Sequence, residues 1–572
     1  MTRISRLLKA SATTGCALLS LAPAAYAQSI PGAADAGRVD QNLKQGLPKV
    51  ARQAPLNVTG NAPFTAPAGA EKLTFTLEGI ELEGMSVYST KEITPLYANK
   101  INQKISLADV YAIAAQMTAK YRNDGYILTQ VVVPPQTISG NVKLRVVEGK
   151  IDKVGVEGSG AQGSNGNIIR DYVSELQKHT VLNNSDLERT LLLINDLPGV
   201  TARSILSPSK TVTGASDLTI VVERKAMDGT AQLNNFGSEF LGPLQILGGF
   251  NLNSWFGHNE RVSAQVAYAP QGEGIDSELV YGELSAAVPI TKYGTLLEGN
   301  FGASNTDPGH TLEPFDVKGK SRFGGLKLTQ PFVRSRELNL ASSLGIDLRS
   351  TDNRSDIDIT RHDDITSVRL GGHLDFVDTL FAAAYTNTNI ELSRGINALG
   401  ASNKGATDLS RAAGDPTYTK ITADITRLER LYGPLALQTG IKGQMSNGAL
   451  LSAEEFGLGG ASNIGRGYDP SEIVGDDGFA GSVELQWASP VPVGWVDSYT
   501  VYGFYDIGKV WNDDSSATLQ EVQSLASVGL GLRAEVTDAT QASFMVAKPL
   551  TREVAAHNDD NARFYFSVSH DF

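Results

Sequence analysis

Several activities are excluded by what the chain of 572 residues lacks. It has one cysteine, Cys16. That residue lies in a leader segment, so the rest of the chain suits an oxidising compartment without demanding disulfides. No run of roughly 18 or more apolar residues occurs, which excludes an ordinary helical membrane span. An excess of positive charge is also missing. The formal net charge is −13, which argues against a nucleic-acid partner. Histidine is scarce and scattered. His362-Asp363-Asp364 and His373 come nearest to a metal group, but an external acidic loop accounts for them better. No Ser nucleophile elbow is found, so no catalytic residue, metal or cofactor is expected.

What is present begins with Arg3, Arg6 and Lys9, a short apolar stretch, and Ala25-Tyr26-Ala27. These fit a secretory signal peptide over residues 1–27. Residues 28–72 form an arm. Ala33 to Lys44 can make a short helix, and Pro48, Pro55, Pro63 and Pro67 keep the following backbone extended. Composition fits a leader without fixed structure equally well.

Two related modules follow, over 73–149 and 150–225. In the first, Phe75 to Leu82 alternates as a strand. Ser106 and Asp109 make a capping box before a helix that Asp124-Gly125 ends. Ile127 to Val133 and Val142 to Val147 read as strands. In the second, Ile151 to Val156 is a strand, Asn167 to Gln177 a helix, and Ser185 caps another helix that Pro198-Gly199 ends. Val200 to Leu206 and Leu218 to Val222 are strands. A repeat of about 75 residues suits tandem small domains rather than a solenoid.

From 228 to 572 apolar/polar alternation recurs in stretches of about ten residues, the length of a tilted transmembrane strand. About 16 such stretches are found, and an even number returns the chain to its side of entry. Connectors after odd-numbered stretches are long, among them 305–321, 351–365, 394–416 and 446–478. Those after even-numbered stretches are mostly short. Short turns on one side and long loops on the other are the habit of outer-membrane barrels. The fold class expected is therefore mainly β: two α+β modules before a 16-stranded antiparallel transmembrane barrel. Arg334, in a short turn, is expected to carry no role.

The longest connector, 446–478, holds Gly457-Leu458-Gly459-Gly460-Ala461-Ser462-Asn463-Ile464-Gly465-Arg466-Gly467-Tyr468-Asp469-Pro470. It lacks the flanking strand and helix and the Lys-Ser/Thr of a phosphate-binding loop. Its Arg466 stands uncrowded between two glycines. Strand parity supplies the partner. Tyr502, Phe504, Asp506 and Gly508 share one face, and a carboxylate facing lipid is costly, so Asp506 faces the lumen. By the same argument Glu484 faces inward, because Val483, Leu485 and Trp487 face lipid. An arginine on a loop folded into the lumen can make a bidentate contact with Asp506. Asp476-Asp477 reads as a turn in that loop.

These residues carry a resemblance. Gly125-Tyr126, Pro134-Pro135-Gln136 and Gly140 resemble the first POTRA domain of the two-partner secretion transporters, the haemolysin secretion/activation family. Leu197-Pro198-Gly199 resembles the second, with Ser209 where the family commonly has Gly. Gly465-Arg466-Gly467-Tyr468 is similar to the loop-six motif of POTRA-barrel transporters, and Phe504, Asp506 and Gly508 to the matching strand motif. The terminal strand, with Phe564, Phe566 and Phe572, resembles the signal read by the barrel-assembly machinery. The resemblance implies an outer-membrane translocator, in contact with membrane lipid. Its periplasmic POTRA domains would capture an unfolded exoprotein, large and β-helical in this family, and pass it through the barrel. An N-terminal helix would lie in the pore at rest. The alternatives are a barrel-assembly factor, disfavoured by two modules and the Pro-Pro-Gln signature, and a passive porin or receptor, disfavoured by the modules themselves.

Overall fold

The structure, a computed structural model, describes residues 30–44, 65–176, 178, 180–212, 214–272, 276–356, 359–489, 496–513 and 520–572. The signal-peptide reading and the proline-rich part of the arm over 45–64 lie outside the described residues.

The first module contains β1 (Thr74–Thr76), β2 (Gly79–Glu83), α2 (Thr90–Ile93), β3 (Lys104–Ser106), α3 (Leu107–Asn123), β4 (Gln130–Val132) and β5 (Asn141–Val147). The segment expected as one strand from Phe75 is thus two. β1 pairs with β3, whereas β2 runs parallel to β5. Ser106 caps α3 through the expected reciprocal bonds with Asp109. Val110, Ile113, Met117 and Tyr121 on one face of α3 pack on Val142, Leu144 and Val146 of the sheet. β4 is shorter than the alternation suggests. Beyond it Pro134-Pro135 end the ladder, and Gln136 takes over by bonding both the N–H and the C=O of Lys143 through its side-chain amide. Gly125, at φ 93°, leaves α3 in a conformation that favours glycine. Tyr126 then sets its ring edge-on to Tyr88 and Tyr121.

The second module repeats the plan: β6 (Lys150–Glu157), α4 (Asn165–Leu176), α5 (Asn184–Asn195), β7 (Val200–Pro208) and β8 (Ala215–Arg224). β6 runs parallel to β8, and β7 antiparallel to it. The cap of α5 is Asn183 rather than Ser185. Its side-chain oxygen accepts from the Ser185 N–H, and an amide accepts there as readily as a hydroxyl. Pro198-Gly199 ends α5, with Gly199 at φ 66°. Ser209 turns its hydroxyl onto Asp152 at 2.6 Å.

Sixteen strands close into one antiparallel barrel. They are β9 (Met227–Asn234), β10 (Gln245–Asn253), β11 (Arg261–Pro270), β12 (Ser277–Pro289), β13 (Leu296–Thr306), β14 (Lys318–Arg334), β15 (Leu338–Ser355) and β16 (Ile359–Asp378). The series continues with β17 (Ala384–Gly395), β18 (Thr419–Tyr432) and β19 (Leu435–Ser446). Between β19 and the next wall strand, a small ribbon of β20 (Phe456–Leu458) and β21 (Ile473–Gly475) sits within the long connector. The wall ends with β22 (Asp477–Ser489), β23 (Ser498–Trp511), β24 (Val522–Thr537), β25 (Thr540–Pro549) and β26 (Arg563–Asp571). β26 pairs with β9. Phe572 and Gly229 then exchange backbone hydrogen bonds at 3.0 Å. Residues 351–355 and 359–365, expected as a loop, instead extend β15 and β16, which stay paired out to Ser355 and Ile359. The ladder continues beyond the lipid-facing stretch, where both faces are mostly polar and the apolar/polar alternation has ended.

The parity rule explains the wall. Phe250, Val266, Leu284, Phe301, Leu326, Leu344, Leu370, Val483, Leu530 and Phe564 are exposed on the outer face. A cluster of exposed aromatic rings, Trp255, Phe256, Tyr293, Phe332, Phe381 and Tyr432, lies at the short-turn end, as expected of a membrane-interface girdle.

The second module grips that same end. Arg334, at one of the short turns, donates to both oxygens of Asp196, at 2.8 and 2.6 Å. Glu188 on α5 accepts from the Arg336 N–H at 2.8 Å. Pro331 has no N–H to give, and a β-bulge in β14 follows between Pro331 and Val333. Arg189 points at the Pro331 and Phe332 carbonyls there, at 3.4 Å. A partly exposed bidentate pair contributes about 1 kcal/mol at most. Asp196→Ala should therefore leave the barrel intact and loosen the joint. We expect a broader distance distribution between spin labels on α5 and β17, narrowed again when Asp196→Arg is combined with Arg334→Asp. An unchanged distribution in Asp196→Ala would show that the pair does not hold the joint.

Candidate functional site

The lumen is occupied by two segments of the chain. One is the arm, where residues 32–34 and 36–38 form single 3-10 turns before α1 (Val39–Lys44). The helix expected over Ala33 to Lys44 is therefore α-helical only in its last part. Asp35 caps the second turn by accepting from Gly37. The other segment is the connector between β19 and β22, the sixth on its side.

Arg466 sits at the inner end of this loop and is 5% exposed. Gly465 and Gly467 lie at φ 101° and 100°, open to glycine and closed to most residues. A Cβ on Gly465 would meet Leu525 at 2.9 Å and the Gly459 backbone at 3.0 Å. Arg466 Nε and Nη2 donate to the two oxygens of Asp506 at 2.9 and 2.8 Å. Nη1 donates to Glu484 at 2.5 Å, and Nη2 also reaches the Ser482 hydroxyl at 3.1 Å. The guanidinium stacks on the Phe504 ring, 3.5 Å from its centroid. The backbone N–H groups of Gly465 and Arg466 both donate to Asp506 at 3.1 Å. Asp506 is fully buried and Glu484 is 1% exposed. Arg533 supplies the second cation that Glu484 requires, at 2.7 Å. Gly508 faces the lumen where the side chain of Leu458 leaves no room for a Cβ.

The rest of the motif spreads across the wall. Tyr468 is fully buried and donates to the Ala526 carbonyl at 3.0 Å. Asp469 pairs with Arg563 of β26 at 3.0 Å. Ile464, Leu458, Tyr468 and Ile473 pack with Val510 and Leu525. Of the terminal aromatics, Phe564 and Phe572 are exposed outward, and Phe564 stacks on Phe544. Phe566 lies opposite Phe544 in register, and the place of these rings is the closing seam, where β26 pairs with β25 and β9.

Other anchors had no motif. Asp476, read as a turn, lies in the bend between β21 and β22 and is fully buried there. It accepts from Arg411 of the preceding long loop, from the Leu450 N–H at 2.7 Å and from the Asp513 N–H at 2.8 Å. Glu454 meets Arg369 at 2.8 Å and Lys420 at 2.7 Å. Asp40 of the arm receives both prongs of Arg349 at 2.9 Å. Parity was an available signal, since Gly345, Asp347 and Arg349 share the face opposite Leu344 and Leu348. The His362 group lies on β16 rather than in a loop, bonded to Asp352 and Asp364 at 2.9 Å. Among the described residues no group of three or more His, Cys, Asp or Glu is arranged to hold a metal ion.

The model of the haemolysin secretion/activation protein ShlB/FhaC/HecB matches residues 214–534, and that of the ShlB-type POTRA domain matches 75–149. The chain belongs to the haemolysin secretion/activation family. It is 23% identical over 551 residues to the heme/hemopexin transporter protein HuxB of Haemophilus influenzae (strain 86-028NP), covering 94% of each chain. It is 23% identical over 493 residues to the outer membrane transporter CdiB of Dickeya dadantii (strain 3937), covering 81% of each. The fold is similar to that of CdiB from Escherichia coli, with TM-score 0.70 at 21% identity over 94% of this chain and 95% of that one. As a member of this family the chain is an outer-membrane transporter of two-partner secretion, with its POTRA modules in the periplasm. The turns gripped by the second module are therefore periplasmic, and the sixth loop enters the lumen from outside.

Two predictions follow from the buried loop. Removing either partner of Arg466–Asp506 leaves a buried charge uncompensated, at a cost of about 3–5 kcal/mol. Arg466→Ala, Arg466→Lys and Asp506→Ala should each lower the urea midpoint for loss of heat-modifiable migration and impair export. A double-mutant cycle should give a coupling of about 1 kcal/mol or more; additive effects would mean that the two residues do not act as a pair.

Glu472 of the loop accepts from the Ala555 N–H at 2.8 Å, tying the loop to the last external connector. Burial, with Asp469 nearby, pushes its carboxyl up to about 7, against the Ala555 N–H bond and the nearby Arg552 and Arg563, which act the other way. A raised carboxyl favours the protonated form. Its contribution to packing is full below the ordinary value of 4.5 and is lost as pH rises through about 7. Bilayer recordings should show more frequent opening at pH 8 than at pH 5.5, and Glu472→Gln should flatten that difference. A difference that persists in Glu472→Gln would assign the effect to another group.

Proposed function

We propose that the protein exports an unfolded exoprotein through its own lumen, with the arm and the sixth loop as resident occupants that give way to the passenger. The observation that carries this reading is the way the lumen is filled. A barrel of this size leaves an aqueous channel unless something occupies it. Here the occupants are held by ion pairs and hydrogen bonds to the wall, such as Asp40–Arg349 and Arg466–Asp506. Polar contacts of this kind are replaceable by water or by another chain; the occupants add smaller apolar contacts, Leu458 and Ile464 of the loop and Val39 of the arm.

The periplasmic modules supply the receiving surface. The second sits against the turns around Tyr293 and Arg334, so a chain bound to it is delivered near the mouth. Domain limits of 73–149 and 150–225 for the modules and 228–572 for the barrel suit this division of labour. Arg466, Asp506 and Glu484 position the loop, Gly465 and Gly467 let it turn, and no residue acts as a catalyst. The relatives named above are a heme/hemopexin transporter and an outer membrane transporter; the passenger of this chain is of the same general kind, a partner exoprotein. The barrel-assembly alternative shares the loop arginine and the modules, and a passive porin would leave its lumen open.

Removal of residues 30–44 tests the reading. The expected result is a several-fold rise in single-channel conductance in planar bilayers with export of the partner exoprotein retained. Unchanged conductance would remove the arm from its role as a resting occupant.

A further inference from the structure

Two groups of wall charges hold the occupants. On β22 and β23 stand Glu484 and Asp506, and the sixth loop brings Arg466 to them. Further round the wall β15, β16 and β18 present Arg349, Arg369 and Lys420. To these the chain brings carboxylates from two unrelated places, Asp40 of the arm and Glu454 of the loop. Arg369 lies opposite Ser393 in register, and Ser393 opposite Lys420, so the two cations occupy one cross-strand row. Arg349 stands four residues along β15 from Gly345, the register partner of Arg369.

The cations differ in what else holds them. Arg369 keeps two wall carboxylates, Asp347 at 2.7 Å and Glu391 at 3.2 Å. Among the described residues Arg349 has no ion pair other than Asp40, and Lys420 none other than Glu454. Aromatic rings hold both in place: Arg349 lies 5.2 Å from the Phe323 centroid and Lys420 5.8 Å from that of Tyr418. When the arm and loop leave, these two cations lose their only carboxylates and stay aimed into the lumen. A passenger carboxylate restores the pairing; an apolar or basic stretch does not.

We infer that the Arg349, Arg369 and Lys420 cluster is the lumen's docking site for carboxylate-rich stretches of an unfolded polypeptide, which Asp40 and Glu454 occupy at rest in the passenger's place. The inference rests on the reading that the passenger travels through this lumen.

The test uses fluorescein-labelled hexaglutamate as probe and anisotropy as readout, on the purified full-length protein and on a variant lacking residues 30–44. The variant should bind at least about tenfold more tightly at low salt, and the gain should fall steeply with added salt. Adding Arg349→Gln to the deletion should abolish most of the gain. Labelled hexalysine should bind no better to the variant than to the full chain. Hexalysine binding equal to hexaglutamate, or a gain that survives Arg349→Gln, would overturn the inference. Should the deletion fail to assemble, Asp40→Asn in the full chain exposes the same arginine and should raise hexaglutamate affinity, with no rise counting against the site. Removing the arm bares Arg349 whether or not conductance changes, while Glu454 stays on Arg369 and Lys420, so the peptide result is separable from that of the conductance experiment.

Discussion

Burial of one guanidinium sets the terms for the rest of the barrel interior. Arg466 is almost wholly removed from water, and a desolvated charge persists only where its partners are complete. Asp506, Glu484, Ser482 and the Phe504 ring supply them on the wall side. Asp506 in turn needs more than one donor, and the backbone N–H groups of Gly465 and Arg466 provide the rest. The glycines are part of the electrostatics as well as the turn, because their positive φ brings those N–H groups to the carboxylate. An arrangement of this kind has no stable half-way position. A loop withdrawn by a few ångströms would keep the desolvation and lose the pairing, so it is either seated or gone.

The seated loop also bridges several strands of the wall. Its arginine goes to Asp506 and Glu484 and its Glu454 to the basic side formed by Arg369 and Lys420, while Asp469 ties it to β26, the strand that closes the barrel. The arm lies against strands β13 to β15 and adds Asp40 to the same basic side. The wall residues that serve these occupants come from strands separated by long stretches of sequence. Only closure of the barrel brings them within reach.

How much of this was legible follows from what each signal measures. Parity is a property of a single strand, so the inward direction of Asp506 and Glu484 could be read from neighbours such as Val483 and Tyr505. Sixteen strands could be counted for the same reason. Strand ends were less legible, because the backbone ladder outlasts the apolar/polar alternation: 351–355 and 359–365 looked like a loop and are paired. The partners of Asp476 and Arg334 could not be read, because Arg411 and Asp196 lie on a different loop and a different module. A charged residue in a turn carries no local mark of such a partner. The pairing of Asp40 with Arg349 across more than 300 residues was equally invisible.

The arm and the loop are further bound to each other, and this links their movements. Arg38 is buried and donates to the carbonyls of Ser452 and Glu455 at 2.7 and 3.0 Å and to the Ser471 hydroxyl at 3.2 Å. Its guanidinium fills the space that a Cβ on Gly457 would need, so a glycine of the loop is shaped around a residue of the arm. Three loop acceptors satisfied by one arm side chain mean that the loop is better seated when the arm is present. Linkage makes the converse hold by the same free energy: the arm is better held when the loop is seated. A passenger that displaces either one thereby weakens the other. Opening then needs only one point of entry, at whichever occupant the passenger reaches first. For a chain delivered from the periplasmic modules that occupant is set by which end of the lumen it enters, and the coupling through Arg38 carries the effect to the segment that entered from outside.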